Sequence, residues 1–280
     1  MRLAALCVVL GVVLAGCGGG GGTTVTPVEV SDPERTVGAT EGFPPGVSAN
    51  GVFGPGVLAG AHMEHLRSQS FTLASNRTTV FKNGSLRSQL NITVTLAQDR
   101  TYRARVTTVG PEAPLLLGEP PAAAEFWSNR FTYVRAFGLD RENRTYNEFV
   151  PQGGHVGTWQ YWTRTAAFGG GTGNAGKTIE DLFGSVSVTV VERETVNGTT
   201  RYRLRATERS GTAFAPEEAT AVGNLTLVAV VENTGLVRSA RYRYDATVDG
   251  QRVTVKRAFR YAGVGTTEVT RPAWYDRATS

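Results

Sequence analysis

The chain is 280 residues long, carries 29 lysines and arginines against 24 acidic residues for a formal charge of +5, and has two cysteines. Basic and acidic residues are interspersed with no lysine- or arginine-rich block, so nucleic acid is not an expected partner. Cys7 lies in a leader and Cys17 at its end, which leaves no thiol for a disulfide, a zinc cluster or a cysteine nucleophile, and the fold must rest on core burial alone.

Taken in order, the chain starts with Arg2, an apolar run from Leu3 to Leu14, and then Ala15-Gly16-Cys17. A positive start, a short apolar stretch and small residues are the three parts of a secretory signal peptide. The run is shorter than the roughly 20 residues a spanning helix requires. Leu14-Ala15-Gly16-Cys17 resembles the lipobox of prokaryotic lipoproteins. That resemblance implies lipidation of Cys17 and cleavage just before it; the alternative is an ordinary signal peptide with a chance cysteine. The expected organisation is a signal peptide over 1–16, a lipidated cysteine and Gly/Thr-rich tether over 17–42, and a single β-rich exported domain over 43–280. The expected location is the cell membrane, lipid-anchored and facing the extracytoplasmic side. Gly18 to Gly22 and the threonines after it cannot bury enough apolar surface to fold. Phe43-Pro44-Pro45-Gly46-Val47 opens the ordered part.

The spacing of Leu58, Ala61, His65 and Leu66 predicts a helix over Val57–Gln69. His62 and His65 sit one turn apart with Glu64 between, but the third histidine is distant His155, and two surface histidines are the expected reading over a metal site. From Ser70 the period becomes alternating. Strands are expected over Phe71–Phe81, Leu86–Ala97 and Thr101–Val109, with a type I′ turn at Asn83-Gly84. Pro111 to Pro121 interrupts with an apolar tip, Leu115-Leu116-Leu117, which either caps the core or guards a cavity mouth. Phe126 to Arg135 reads as a short hairpin and Arg144–Phe149 as a further strand.

Residues 151–177 are rich in glycine and aromatics, including Trp159, Tyr161 and Trp162. Gly169 to Gly173 lacks both the preceding strand of a dinucleotide fingerprint and the lysine and hydroxyl of a P-loop. Lys177–Phe183 reads as a brief helix with Ile179, Leu182 and Phe183 inward. The second half is a meander: Val186–Glu194, Thr200–Glu208, a helical turn over Pro216–Ala221, then Asn224–Glu232, Leu236–Val248 and Arg252–Ala262. Thr266–Ala273 is expected to add an edge strand or to lie over the opening.

A Tyr-Arg step recurs in Thr101–Val106, Arg201–Ala206 and Arg241–Ala246. Alternation sends aromatic and aliphatic residues to one face and arginines to the other. The arginine face is either simply solvated or a grip for lipid head groups or acidic glycans. Six Asn-X-Ser/Thr sites, Asn76, Asn83, Asn91, Asn143, Asn197 and Asn224, are glycan acceptors if the cell glycosylates exported proteins, and a threonine-rich chain also produces such triplets by chance.

The expected fold is mainly β (α+β), a curved antiparallel sheet or half-barrel of about ten strands packed on one or two short helices. The glycine tether, Phe43–Val47, Ala61-His62 and Ser70–Leu73 together resemble the haloarchaeal lipoproteins of unknown function. The layout is similar to the LolA/LolB and LppX/LprG half-barrel lipoproteins. That likeness implies a sheet wrapped around an apolar cavity for acyl chains, without carrying over any residue role. The functional expectation is a lipid-anchored envelope protein binding or carrying an apolar or lipid-like ligand. Leu115, Leu116, Leu117, Phe126, Trp127, Tyr133, Trp159, Tyr161 and Trp162 are the candidate lining, each with plain core packing as its alternative. The other reading is a non-catalytic surface glycoprotein with a structural or adhesion role. No nucleophile elbow, His-Glu-X-X-His or P-loop occurs, and Asp140, Glu142 and Glu148 read as turn carboxylates, so no catalytic residue, metal ligand or cofactor is expected. The sequence does not identify a protein partner.

Overall fold

A computed structural model describes residues 42–140, 142–151, 156–166, 175–207 and 219–280. The lipobox, the glycine tether, Gly169 to Gly173 and His155 lie outside the described residues.

A small hairpin, β1 (Val47–Ser48) and β2 (Gly51–Val52), precedes helix α1 (Pro55–Arg67). Then come β3 (Phe71–Phe81), β4 (Leu86–Leu96), β5 (Tyr102–Val109), β6 (Ala122–Ser128), β7 (Tyr133–Phe137) and β8 (Thr145–Glu148). Helices α2 (Trp159–Ala166) and α3 (Ala175–Gly184) follow. The chain continues through β9 (Thr189–Val196), β10 (Thr199–Ala206), β11 (Ala219–Glu232), β12 (Val237–Val248) and β13 (Gln251–Ala262), and closes with α4 (Tyr275–Ala278).

β3 to β13 form a single curved antiparallel sheet in the order β8-β7-β6-β5-β4-β3-β13-β12-β11-β10-β9, not closed into a barrel. Two meanders, β3–β8 and β9–β13, therefore meet where β13 pairs with β3, in the register Tyr261↔Leu73 and Arg257↔Arg77. That junction is the strand pairing of the sheet that joins residues far apart in the chain. Each meander is otherwise built from neighbours in sequence.

The alternation expected from the sequence holds strand by strand. Leu90, Ile92, Val94 and Leu96 of β4, Tyr102, Ala104 and Val106 of β5, Tyr202, Leu204 and Ala206 of β10, and Tyr242, Tyr244 and Ala246 of β12 are all buried on one face, here the inner face. Cross-strand partners share a face, so the arginines between them stand on the outer face. Helix α1 presents Leu58, Ala59, His62 and Leu66 to the core, and α3 contributes Ile179, Leu182 and Phe183, the three residues expected inward. The carbonyls that end α1 are met by the Arg100 guanidinium, which donates to the Gln69 carbonyl (3.2 Å) and to that of Arg67. Gly235, in the β11–β12 turn, packs directly on α1: a Cβ there would stand 2.5 Å from Ala61 Cβ. Its positive φ of 89° completes the demand for glycine.

Four expectations change. Asn83-Gly84 is not a type I′ turn, because only Gly84 has positive φ. The Asn83 side chain accepts the Ser85 amide (3.0 Å) and holds a four-residue loop instead. The type I′ signature, positive φ at both positions, occurs at Asn197-Gly198 and Asp249-Gly250. Ala219–Ala221 are strand, not helix, because they pair with Val248 and Thr247 at the start of β11; the first residues of that expected turn lie outside the described residues. Residues 266–273 add no strand. They lead to Trp274 and α4, which pack on the outer face of β6–β8. There Trp127, Val134, Ala136, Trp274 and Ala278 form a second small core.

His62 is not a surface histidine. It is 1% exposed, packs edge-on against Tyr261 (5.3 Å) and accepts the Val237 amide on Nδ1 (3.2 Å). Burial, with His65 adding repulsion, holds its pKa down at about 3. It is thus a neutral core acceptor that ties α1 to the start of β12. Among the described residues, no group of three histidine, cysteine or acidic side chains is placed to hold a metal ion.

Candidate functional site

Phe126, Tyr133, Trp159, Tyr161 and Trp162 gather at one corner of the inner face, where α2 lies across β3, β4 and β5. Within the glycine- and aromatic-rich stretch over 151–177, residues 159–166 form this helix. Its N-terminal signal is Thr158, whose hydroxyl accepts the Tyr161 amide (3.3 Å) and whose carbonyl accepts that of Trp162 (3.1 Å). Trp159, Trp162 and Ala166 then fall on the buried side at i, i+3 and i+7. Ser75, on the inner face of β3, donates to the Ala166 carbonyl at 2.7 Å and fixes the end of the helix.

Trp162 is the centre of the corner. Its ring lies 4.9 Å from Phe126 and 4.8 Å from Tyr161. Phe126 contacts Phe137 (5.9 Å) and Phe149 (5.8 Å), and Phe149 contacts Tyr133 (5.8 Å). These tilted and edge-on arrangements are the favoured aromatic geometries. Gly157 allows the close approach: a Cβ there would stand 2.6 Å from Phe149 Cε2, and its carbonyl accepts the buried Tyr102 hydroxyl. Burial pushes the Tyr102 phenol well above its ordinary pKa, so it stays a donor.

The corner has a buried floor and a half-buried rim. Phe126 and Trp162 are buried, whereas Tyr133, Phe137, Phe149, Trp159 and Tyr161 pack against the core while keeping some exposure; Leu116 and Leu117 also pack against the core, with no contact that ties them to this corner among the described residues. Leu115 points outward, 66% exposed. Two guanidiniums complete the rim: Arg135 lies 5.1 Å from the Phe137 ring and 5.3 Å from that of Phe149, and Arg100 lies 5.6 Å from Trp159. The buried Trp162 Nε1 has no hydrogen-bond partner among the described residues. Five of the nine candidate residues, Phe126, Tyr133, Trp159, Tyr161 and Trp162, therefore belong to one region; no contact among the described residues ties Leu115, Leu116 or Leu117 to it, and Trp127 lies elsewhere. It follows Phe126 on β6, so its side chain takes the opposite face and enters the second core. Phe137, Phe149, Arg100 and Arg135 were missed. An aromatic four residues along the same strand from Tyr133, and so on the same face, was the available signal for Phe137.

The sequons divide by environment. Asn83, Asn143, Asn197 and Asn224 are exposed. Asn76 and Asn91 lie opposite one another in the middle of the outer face, where Asn76 Nδ2 donates to Asn91 Oδ1 (2.5 Å) and Asn91 Nδ2 to Thr107 (3.2 Å). A glycan on either would replace a donor the sheet uses. Asp140, Glu142 and Glu148 are exposed. No helix among the described residues is long and apolar enough to cross a membrane.

Among solved structures, the chain is similar to LprF from Mycobacterium bovis, at 12% identity and a TM-score of 0.33, over 78% of this chain and 95% of that one. It is similar to the lipoprotein LppX of Mycobacterium tuberculosis at 7% identity and a TM-score of 0.33, over 78% and 97%. A DUF1329 family protein from Desulfovibrio piger gives 12% identity and a TM-score of 0.24, over 79% and 95%. Superpositions that loose carry no functional conclusion. No curated protein matches the chain. Residues 2–278 match a family of unknown function, DUF7537, and the chain belongs to that family.

Proposed function

We propose that this is a lipid-anchored envelope protein that binds or carries an apolar or lipid-like ligand at the aromatic corner of its inner face. The observation that supports this reading is the rim described above. Half-buried aromatic rings surround a buried Phe126–Trp162 floor, with Arg100 and Arg135 stacked at the edge. Apolar rings beside a few placed cations suit an amphiphile, whose chain meets the rings and whose polar end meets the guanidiniums. The anchor rests on Leu14-Ala15-Gly16-Cys17, with lipidation on Cys17 and the protein facing the extracytoplasmic side.

The test is direct. The full-length protein is purified from its native host, extracted with organic solvent, and the extract analysed by mass spectrometry. The expected result is a stoichiometric apolar molecule beyond the covalent anchor. Its amount should fall when Trp159 and Tyr161, at the rim, are both changed to alanine. Folded protein that yields an empty extract, or an unchanged yield from the rim variant, would sink the reading. Separately, Cys17→Ser should release the protein from the membrane fraction. Retention of that variant would remove the anchor from the proposal.

A further inference from the structure

The outer face carries a second feature, on the side of the sheet opposite the aromatic corner. Where the C-terminal segment crosses β5–β8 it leaves a cleft of about 580 Å³, whose walls include Arg103, Arg105, Arg144 and Arg277 with the rings of Tyr146 and Trp274. Against these four guanidiniums the lining offers one carboxylate, Glu125.

Glu125 is already committed. It is 4% exposed, pairs with Arg103 and with Arg105 (Nε–Oε2, 3.4 Å), and accepts Trp274 Nε1 at 3.0 Å. One negative charge cannot neutralise two guanidiniums, and it does not reach the other two. Among the described residues Arg144 donates only through its Nε, to the Gly138 carbonyl (3.2 Å), which leaves its Nη groups for another acceptor. Arg277 lies over the Tyr146 ring at 5.6 Å and has no carboxylate partner among the described residues. Three positive charges in excess, walled partly by aromatic rings, raise the local potential well above that of a flat surface. Guanidinium forks match the oxygens of a phosphate two at a time.

We infer that this cleft is an anion site for a phosphate-bearing ligand, held by Arg144 and Arg277 with Arg105 and Arg103 behind them. The inference is independent of the ligand proposed for the inner face. The shared chemistry is the phosphate, from either a soluble phosphomonoester or a lipid head group.

Calorimetric titration of the full chain in nonionic detergent tests it, at constant ionic strength, with inorganic phosphate, sn-glycerol 3-phosphate and a short-chain phosphatidylglycerol. Saturable one-site binding of at least one soluble phosphate is expected. The double variant Arg144→Gln/Arg277→Gln should weaken it about tenfold or more, since two charge-assisted contacts are lost. Glu125→Gln, in protein shown to be folded, should move affinity the opposite way, a gain that general damage to the fold would not produce. Tighter binding of the lipid than of glycerol phosphate, with the same arginine dependence, assigns the head group; the reverse assigns a soluble ligand. Absence of saturable binding by both soluble phosphates overturns the site, whatever the lipid does. Equal affinity in the double variant overturns it as well.

Discussion

The two halves of the outer face start from the same local motif and end differently. Over β5–β8, Trp274, Ala278, Val269 and Tyr275 cover Trp127, Val134 and Ala136, and the arginines of β5 are drawn onto a buried carboxylate. Over β10–β13 no described segment forms such a roof, and Arg205, Arg241, Arg243, Lys256 and Arg260 stand exposed. In the roofed half Glu125 holds two guanidiniums with its side chain 6% exposed. In the bare half the Arg203–Glu192 pair, at 2.8 Å, is about half exposed on both sides, while at the end of β11 Glu232, its side chain 5% exposed, holds Arg201 (3.3 Å) and Arg238 (2.6 Å). The difference shows what a Tyr-Arg strand needs. Its tyrosine face is settled by the inner core, but its arginine face is covered only where a carboxylate meets the guanidiniums, Glu125 beneath the roof and Glu232 without one.

The most damaging way to break the comparison is Trp274→Ala. It removes the centrepiece of the roof and a donor to Glu125, and should cost about 3–5 kcal/mol in chemical denaturation, as for other buried tryptophans. A loss near zero would mean that the C-terminal segment is decoration and the two halves are alike. Glu125→Gln comes next. It leaves Arg103 half-covered without its counter-charge, and about 2–3 kcal/mol is expected after allowance for the residual exposure of Arg103.

The inner face supplies a reference that both halves share, and His62 makes it acid-sensitive. Its folded pKa, about 3, lies below the ordinary histidine value of 6.5. The unfolded chain therefore binds the proton more tightly, and acid pulls toward unfolding. The stabilisation is complete above pH 6.5 and is lost progressively as pH falls toward 3. The slope approaches about 1.4 kcal/mol per pH unit, which comes to roughly 2 kcal/mol between pH 6.5 and pH 5. Denaturation midpoints of wild type and His62→Gln across that range measure it: the variant should start less stable and show a shallower slope. Parallel slopes would place the acid sensitivity elsewhere. The smallest effect belongs to the bare half. Arg241→Gln should change stability by no more than about 0.5 kcal/mol, because an exposed side chain with no carboxylate partner among the described residues has little to lose. A larger loss would reveal a cover over that half and erase the contrast.

Much of the sheet was legible because alternation is a local property. Leu90, Ile92, Val94 and Leu96 declare a buried face without reference to anything else in the chain. The α1 and α3 helices were legible for the same reason. Helix α2 was not, because glycines and aromatics around it hide an apolar stripe carried by only Trp159, Trp162 and Ala166. The aromatic corner was half legible. Phe126, Tyr133, Trp159, Tyr161 and Trp162 were named by composition, but composition does not say which face a neighbour takes, and Trp127 went to the other side. His62 was misread because a lone polar residue on an amphipathic helix gives no sign that a distant amide, that of Val237, needs an acceptor.

The sequence by itself determined the strand alternation, the Tyr-Arg division into two faces and the Asn-Gly and Asp-Gly hairpins, since all of these follow from side-chain period and backbone sterics over a few residues. Only the tertiary structure decided that β13 joins β3, that the C-terminal segment roofs β5–β8, and that four arginines share one cleft with one glutamate. Those outcomes depend on which surfaces, far apart in the chain, lose water together, and no local pattern records that choice.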